Sequence, residues 1–286
     1  MSLPLVVGVD GSESSLRALD WAADEAALRR VPLRVVYASR WERYEGAALA
    51  RELGAPSAQV SGEEIVRAAA RRARGRADLT VTTAVVTEEA EYVLIHESRN
   101  ASAVVVGTRG RGALADALLG SVSLSVATYA HCPVVVIRGD HDDRTVGRRS
   151  APIVLGVADG PTSAVRFAYE EARLHAVPVE AVRAWRCPSQ ETADHPLLGG
   201  RPERLHEERA VGQLEAALAE APPDVKLRRR TTEGPAGKVL LGASHEAGLL
   251  VIGRRRPGHL GPHMGRVAHR LLHHAACPVA IVPDAV

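Results

Sequence analysis

The 286-residue chain is poor in aromatic side chains, lysine and cysteine. Aromatics make up 3% of it, so its cores must rest on Val, Leu, Ile and Ala, within an apolar fraction of 46%. Lys226 and Lys238 are the only lysines, and arginine carries nearly all the positive charge. Net charge is close to neutral at +2, and no basic block is long enough to track a phosphate backbone, which argues against a nucleic-acid-binding role. Three cysteines (Cys132, Cys187 and Cys277) are too few for a disulfide framework, and no Cys-x-x-Cys spacing occurs. No apolar run approaches the ~20 residues of a membrane span, and the N-terminus lacks a signal-peptide pattern. A reducing cytoplasm is the expected compartment, with no membrane partner.

What the chain does have is a second copy of itself. Ile153-Val-Leu-Gly-Val157 matches Leu5-Val-Val-Gly-Val9, and Val177-Pro-Val-Glu-Ala-Val182 matches Val31-Pro-Leu-Arg-Val-Val36. Leu250-Val-Ile-Gly253 matches Val104-Val-Val-Gly107, and Ala276-Cys-Pro-Val-Ala-Ile-Val282 matches His131-Cys-Pro-Val-Val-Val-Ile137. Four landmarks in one order, offset by 145 to 148 residues, mark a duplication. The expected domains are 1–138 and 153–286. Between them the polar stretch 139–152 has glycines near its ends and reads as a linker.

Within the first copy, β-branched runs at 4–9, 33–38, 80–86, 103–107 and 133–138 predict strands. Helical patterns lie near 13–29, 63–76, 88–99 and 113–130, with a helix opening at Gly120-Ser121 inside the last. Near-continuous apolar strands alternating with amphipathic helices predict an α/β fold with a parallel sheet covered on both faces. Right-handed crossovers favour a doubly wound, Rossmann-like five-stranded sheet of order 3-2-1-4-5 in each copy. Segments 40–62 and 186–202, rich in Gly, Pro and Ala, read as loops or lids.

A sheet of that order binds ligands beyond the carboxyl ends of its strands, where the strand order reverses between strands one and four. Unusual residues stand at those two ends. Strand one finishes in Val9-Asp10-Gly11-Ser12 and strand four in Gly107-Thr-Arg-Gly110-Arg-Gly112. A carboxylate opposite a glycine-rich loop suits a nucleoside on one side and phosphates on the other. Glycines let backbone amides approach an anion closely. The helix opening at Leu119-Gly120-Ser121-Val122-Ser123 offers free N–H groups, a partial positive charge and the Ser121 hydroxyl.

These residues resemble those of the universal stress protein family, in tandem, over nearly all of both halves. The ATP-binding members of that family carry Gly-x2-Gly-x9-Gly-[Ser/Thr]. Gly107, Gly110, Gly120 and Ser121 stand at those spacings, and the Asp that ends strand one and the Cys-Pro-Val ending also fit. The resemblance implies ATP, with or without Mg, as the cofactor of the first domain. It places Asp10 and the backbone at Ala38 at the adenine end and Gly107 near the ribose. It assigns the phosphates to Gly110, Gly120, Ser121, Val122 and Ser123. Arg111 reads equally well as a phosphate contact or as a solvated loop charge.

The second copy departs from this pattern. Gly253 and Gly258 match Gly107 and Gly112, but Arg256 replaces Gly110, Pro257 follows it, and the spacing to Gly265 is one residue short. Arg266 replaces Ser121, and Ala158 aligns with Asp10, with Asp159 next door as a substitute through a local bulge. No ATP is expected in this half, while Arg254, Arg255, Arg256 and Arg266 leave a different anionic ligand open. His259, His263, His269, His273 and His274 cluster nearby, yet the first two lie in a Gly/Pro loop and no carboxylate or cysteine set accompanies them. They read as polar surface, with no metal site. Cys132 and Cys277 read as small buried hydrophobes.

No Walker pattern and no Ser-His-Asp or zinc constellation is present, and no lysine lies near the first site. Phosphoryl transfer needs a cation clamp and a positioned base or water, and the first copy supplies neither clearly. The expectation is an ATP-binding regulatory or switch protein with at most slow hydrolysis, and the resemblance implies a stress-response role. A slow ATPase or adenylate-handling hydrolase stays open beside it, as does an interaction module with an empty site. The apolar last strands of the two halves are expected to pair as an intrachain pseudo-dimer, since left bare they would aggregate. Further association into a homodimer is left open.

Overall fold

Short runs of Val, Leu and Ile become strands buried on both faces, as a parallel sheet requires. The computed structural model describes residues 2–39, 61–108, 119–138, 150–158, 160, 162–187, 202–254 and 264–284. The chain divides into two compact units, Met1–Asp142 and Asp143–Val286. In the first unit the strands are β1 (Leu5–Gly8), β2 (Leu33–Ala38), β3 (Val81–Val86), β4 (Ala103–Gly107) and β5 (Val134–Ile137). They pair in parallel in the order β3-β2-β1-β4-β5. β4 is buried throughout its length, and burying each of its valines contributes about 1.5–3 kcal/mol. A charged residue at Val105, which is fully buried, would undo that.

The helices of this unit are α1 (Glu13–Arg29), α2 (Gly62–Arg76), α3 (Ala90–Glu97) and α4 (Ser121–Tyr129). α1 begins where Ser12 caps it by accepting from the Ser15 N–H, and ends at Arg30 in the left-handed region with φ 55°. It buries Ala18, Leu19, Ala22, Ala23 and Ala26, a stripe of mostly one-carbon side chains that brings the helix axis close to the sheet. α2 starts in a capping box between Ser61 and Glu64. Two bidentate pairs staple it to α1: Arg72 to Asp20 with both contacts at 2.6 Å, and Arg76 to Asp24 with both at 2.8 Å. On β2, Arg34 grips Glu97 of α3 at 2.7 and 2.8 Å, which raises the Arg34 pKa through that hydrogen bond.

The second unit repeats the plan. Its strands are β6 (Ile153–Gly156), β7 (Val179–Trp185), β8 (Leu227–Glu233), β9 (Leu249–Arg254) and β10 (Val279–Pro283), in the parallel order β8-β7-β6-β9-β10. Its helices are α5 (Ser163–His175), α6 (Pro202–Ala217), α7 (Ala236–Ala243) and α8 (Arg266–His274). α5 ends like α1, with Ala176 left-handed at φ 54°.

Two expectations change in detail. The fourth helical pattern, taken as 113–130, is a described helix only from Ser121, because Gly120 is its N-cap; residues 109–118 lie outside the described residues. The third, taken as 88–99, is α-helical over Ala90–Glu97 and tightens into a 3-10 turn at Ser98–Asn100. Among the described residues no helix is long and apolar enough to cross a membrane. Cys132 and Cys277 are buried, as expected of small hydrophobes.

Candidate functional site

Parallel pairing sends every strand of the first unit out of the same edge of its sheet. Just beyond the strand ends the ladder continues through Val9 N–H to Val36 C=O at 2.9 Å, Ser39 N–H to Val86 C=O at 3.1 Å, and Thr108 N–H to Ile137 C=O at 3.0 Å. Asp10, Ala38 and Gly107 therefore stand at one edge, with β1 and β4 adjacent where the strand order reverses.

Asp10 is held by the turn that opens α1. Its Oδ1 accepts from the Ser12 N–H at 3.0 Å and from the Ser12 hydroxyl at 2.6 Å. Ser12 Oγ in turn accepts from the Ser15 N–H at 3.2 Å, and the Ser15 hydroxyl donates to the Ser12 carbonyl at 2.8 Å. Gly11 makes the turn possible with φ 80°, a conformation that L side chains rarely adopt. One Asp oxygen is thus fixed against α1.

Gly107 has a different reason for being glycine. A Cβ there would come within 2.7 Å of the backbone carbonyl carbon and oxygen of Ser14, in the first turn of α1. The missing side chain seats α1 against the end of β4. Gly120 is not in the left-handed region: it is extended, at φ −68° and ψ 151°, as an N-cap.

α4 then begins over this floor. Gly120 donates its N–H to the Thr108 carbonyl at 2.7 Å, and the helix's first own bond runs from Leu124 N–H to the Gly120 carbonyl at 3.1 Å. The N-cap makes no side-chain bond and the first turn holds no acid. The N–H groups of Ser121, Val122 and Ser123 consequently precede the helical ladder, where an anion is favoured. Ser121 is exposed and Val122 half-buried.

At Ser123 the side chain and the backbone N–H serve different ends. Its hydroxyl is buried and donates to the Gly107 carbonyl at 2.5 Å, so its side chain serves the scaffold and only its backbone N–H faces the helix start. Contacts thus join Asp10, Ser12, Ser14, Gly107, Thr108, Gly120 and Ser123 into one assembly; Ala38 shares the edge; Gly110 and Arg111 lie outside the described residues. Gly11, Ser12, Ser14 and Thr108 are additions to the predicted set. The Asp-Gly pair followed by a Ser-x-x-Ser start was the legible signal for the first two.

The second unit handles the same place differently. Gly160 adopts φ 75°, close to the 80° of Gly11, so Asp159-Gly160 pairs in sequence with Asp10-Gly11 and Ala158 reads as a one-residue insertion. Asp159 itself lies outside the described residues. A Cβ on Gly253 would sit 3.7 Å from Ala164 Cβ and 3.9 Å from Thr162 Oγ1, which is ordinary contact. Thr162 makes no side-chain cap bond, and Asp284 Oδ1 accepts from the Ser163 N–H at 3.4 Å. Arg183, in the register position of Tyr37, donates to the Ala158 carbonyl at 2.7 Å and to Gln213 at 2.6 Å. α8 opens with the exposed Arg266 where α4 opens with Ser121.

Comparison with known proteins places this architecture. A family model described as the universal stress protein family matches residues 1–138 and again 151–283. A universal stress protein of Mycolicibacterium smegmatis is 34% identical over 97% of this chain and 96% of its own length. One from Mycobacterium tuberculosis is 32% identical over 97% of this chain and 96% of its own. The crystal structure of a universal stress protein from Archaeoglobus fulgidus superposes with a TM-score of 0.68 at 17% identity, covering 99% of this chain and 98% of that one, and shares the fold. The chain belongs to the universal stress protein family.

Proposed function

We propose that the first unit binds an adenine nucleotide, ATP by preference, and that the protein acts in the cytoplasm as a stress-response regulator whose state follows nucleotide occupancy. The observation that carries this reading is the placement, at the ends of the adjacent strands β1 and β4, of a fixed carboxylate, Asp10, and of an α4 start whose first N–H groups have neither a helical acceptor nor a capping side chain. Asp10 and the Ala38 backbone would hold the base and ribose end. The amides of Ser121, Val122 and Ser123 with the Ser121 hydroxyl would hold phosphate, adding charge-assisted hydrogen bonds. ATP so bound would supply a removable set of negative charges at the helix start. The described site residues include no lysine and no positioned base, in keeping with binding and slow turnover at most.

The second unit would bind no ATP, because Arg183 spans its β6 terminus and Arg266 heads α8. Calorimetric titration of the full chain with ATP, ADP and AMP tests both statements. One site per chain is expected; no heat with any nucleotide defeats the reading, and two equal sites defeat the asymmetry.

A further inference from the structure

We propose that Ser123 is a positioning residue for the phosphate end of the first unit's site, acting through the Gly107 carbonyl rather than by touching ligand. The inference rests on the nucleotide reading above and adds to it a role for one hydroxyl. Three observations carry it. First, Ser123 is 4% exposed and donates to the Gly107 carbonyl at 2.5 Å, so its hydroxyl proton is spent inside the fold. Second, Gly107 is closely seated, since α1 packs against it so tightly that no side chain fits. The Ser123 bond therefore ties the first turn of α4 to a close-packed point at the β4 terminus. Third, the other tie at this place, Gly120 N–H to the Thr108 carbonyl at 2.7 Å, holds the cap residue, whereas the Ser123 bond holds the first turn itself.

Two bonds at residues three apart in sequence, Gly120 and Ser123, define both where the helix begins and which way its first-turn amides aim. An anion bound by several N–H groups at once is sensitive to that aim, because hydrogen bonds weaken steeply when misaligned. The second unit supplies a natural contrast: Ala268 stands in the third position of α8 where Ser123 stands in α4, and Gly253 there has ordinary clearance. The unit expected to bind no ATP lacks both the tie and the tight seat.

The test separates ligand aim from mere stability. With full-length protein held well below its unfolding temperature, Ser123→Ala should weaken ATP binding about tenfold while leaving adenosine affinity within about twofold, and Ser123→Thr should restore ATP binding. In the nucleotide-free protein, amide exchange at Gly120 and Leu124 should quicken about tenfold in Ser123→Ala, with Val135 in β5 unchanged. Equal losses for ATP and adenosine, no loss for either, or unaltered exchange at Gly120 and Leu124 would overturn the positioning role. Wild-type protein that binds no ATP would instead sink the nucleotide reading, and the exchange measurement would still decide whether Ser123 sets the helix.

Discussion

At one topological point the two halves of this chain make different contacts. In the first, the end of β4 lies so near the start of α1 that Gly107 has no room for a methyl group against Ser14. In the second, β9 and α5 meet with ordinary clearance: Gly253 faces Ala164, two side-chain-poor residues with space between them. The connection from β6 to α5 is also longer, with Ala158 inserted before the Asp-Gly turn and Pro161 before the cap. A longer connection relaxes the seat of the helix, and a relaxed seat no longer demands glycine. Gly253 is a remnant of the shared ancestor design; Gly107 is a requirement.

The widest gap between the halves should open at these glycines. Gly107→Ala should destabilise the first unit by about 2–3 kcal/mol, because the obstacle is backbone and neither partner can step aside. Gly253→Ala should stay within about 0.5 kcal/mol of the parent. Denaturant titration of both variants decides it, and equal losses would erase the contrast. Next in size is ligand binding: Asp10→Ala should weaken ATP at least about tenfold, or about 1.4 kcal/mol, while Asp159→Ala leaves the titration curve unmoved. A comparable loss from Asp159→Ala would relocate the site.

The caps sharpen the comparison further. Ser12 caps α1 and also donates to Asp10, so Ser12→Ala should cost about 1 kcal/mol, seen as a lower denaturant midpoint. Thr162 makes no such bond, and Thr162→Ala should fall within about 0.5 kcal/mol of the parent. The smallest effects belong to surface ion pairs. Arg76→Met removes one of the two α1–α2 staples and should cost about 0.5 kcal/mol, less in high salt. In the second unit, Arg173 holds the Asp224 carboxyl below its ordinary range by hydrogen bonding. A depressed folded pKa favours the folded state at neutral pH and loses that contribution as pH falls through the carboxylate range. Arg173→Met should therefore flatten only the acid limb of the stability profile, which a pH series of thermal melts would show.

Much of this architecture is written in short-range pattern. Strands such as Val104–Val106 are continuous apolar runs because both of their faces are covered, and the start of α1 shows in Ser12 and Glu13. Duplication made the strand order doubly legible, since each half votes for the same plan. What pattern could not show is contact at a distance. The reason for Gly107 lies ninety-three residues earlier, at Ser14, and nothing in the local motif separates a glycine that admits phosphate from one that admits a helix. The partner of the Ser123 hydroxyl was hidden for a related cause: its acceptor, the Gly107 carbonyl, lies sixteen residues earlier in the chain. Between Ala158 and Asp159, the two counterparts of Asp10 that the sequence leaves open, it is the φ of Gly160, close to that of Gly11, that favours Asp159.

The short bond from the Gly120 N–H to the carbonyl of Thr108 joins the two described ends that flank residues 109–118 in the sequence. Because that bond is made by residues outside the stretch, exchange of the stretch should leave β4 and α4 in register. The corresponding stretch of the second half is one residue shorter between Arg256 and Gly265, and α8 still opens directly after its own Gly265 cap. Chimeras that swap only this stretch would be the natural way to move a binding preference between relatives.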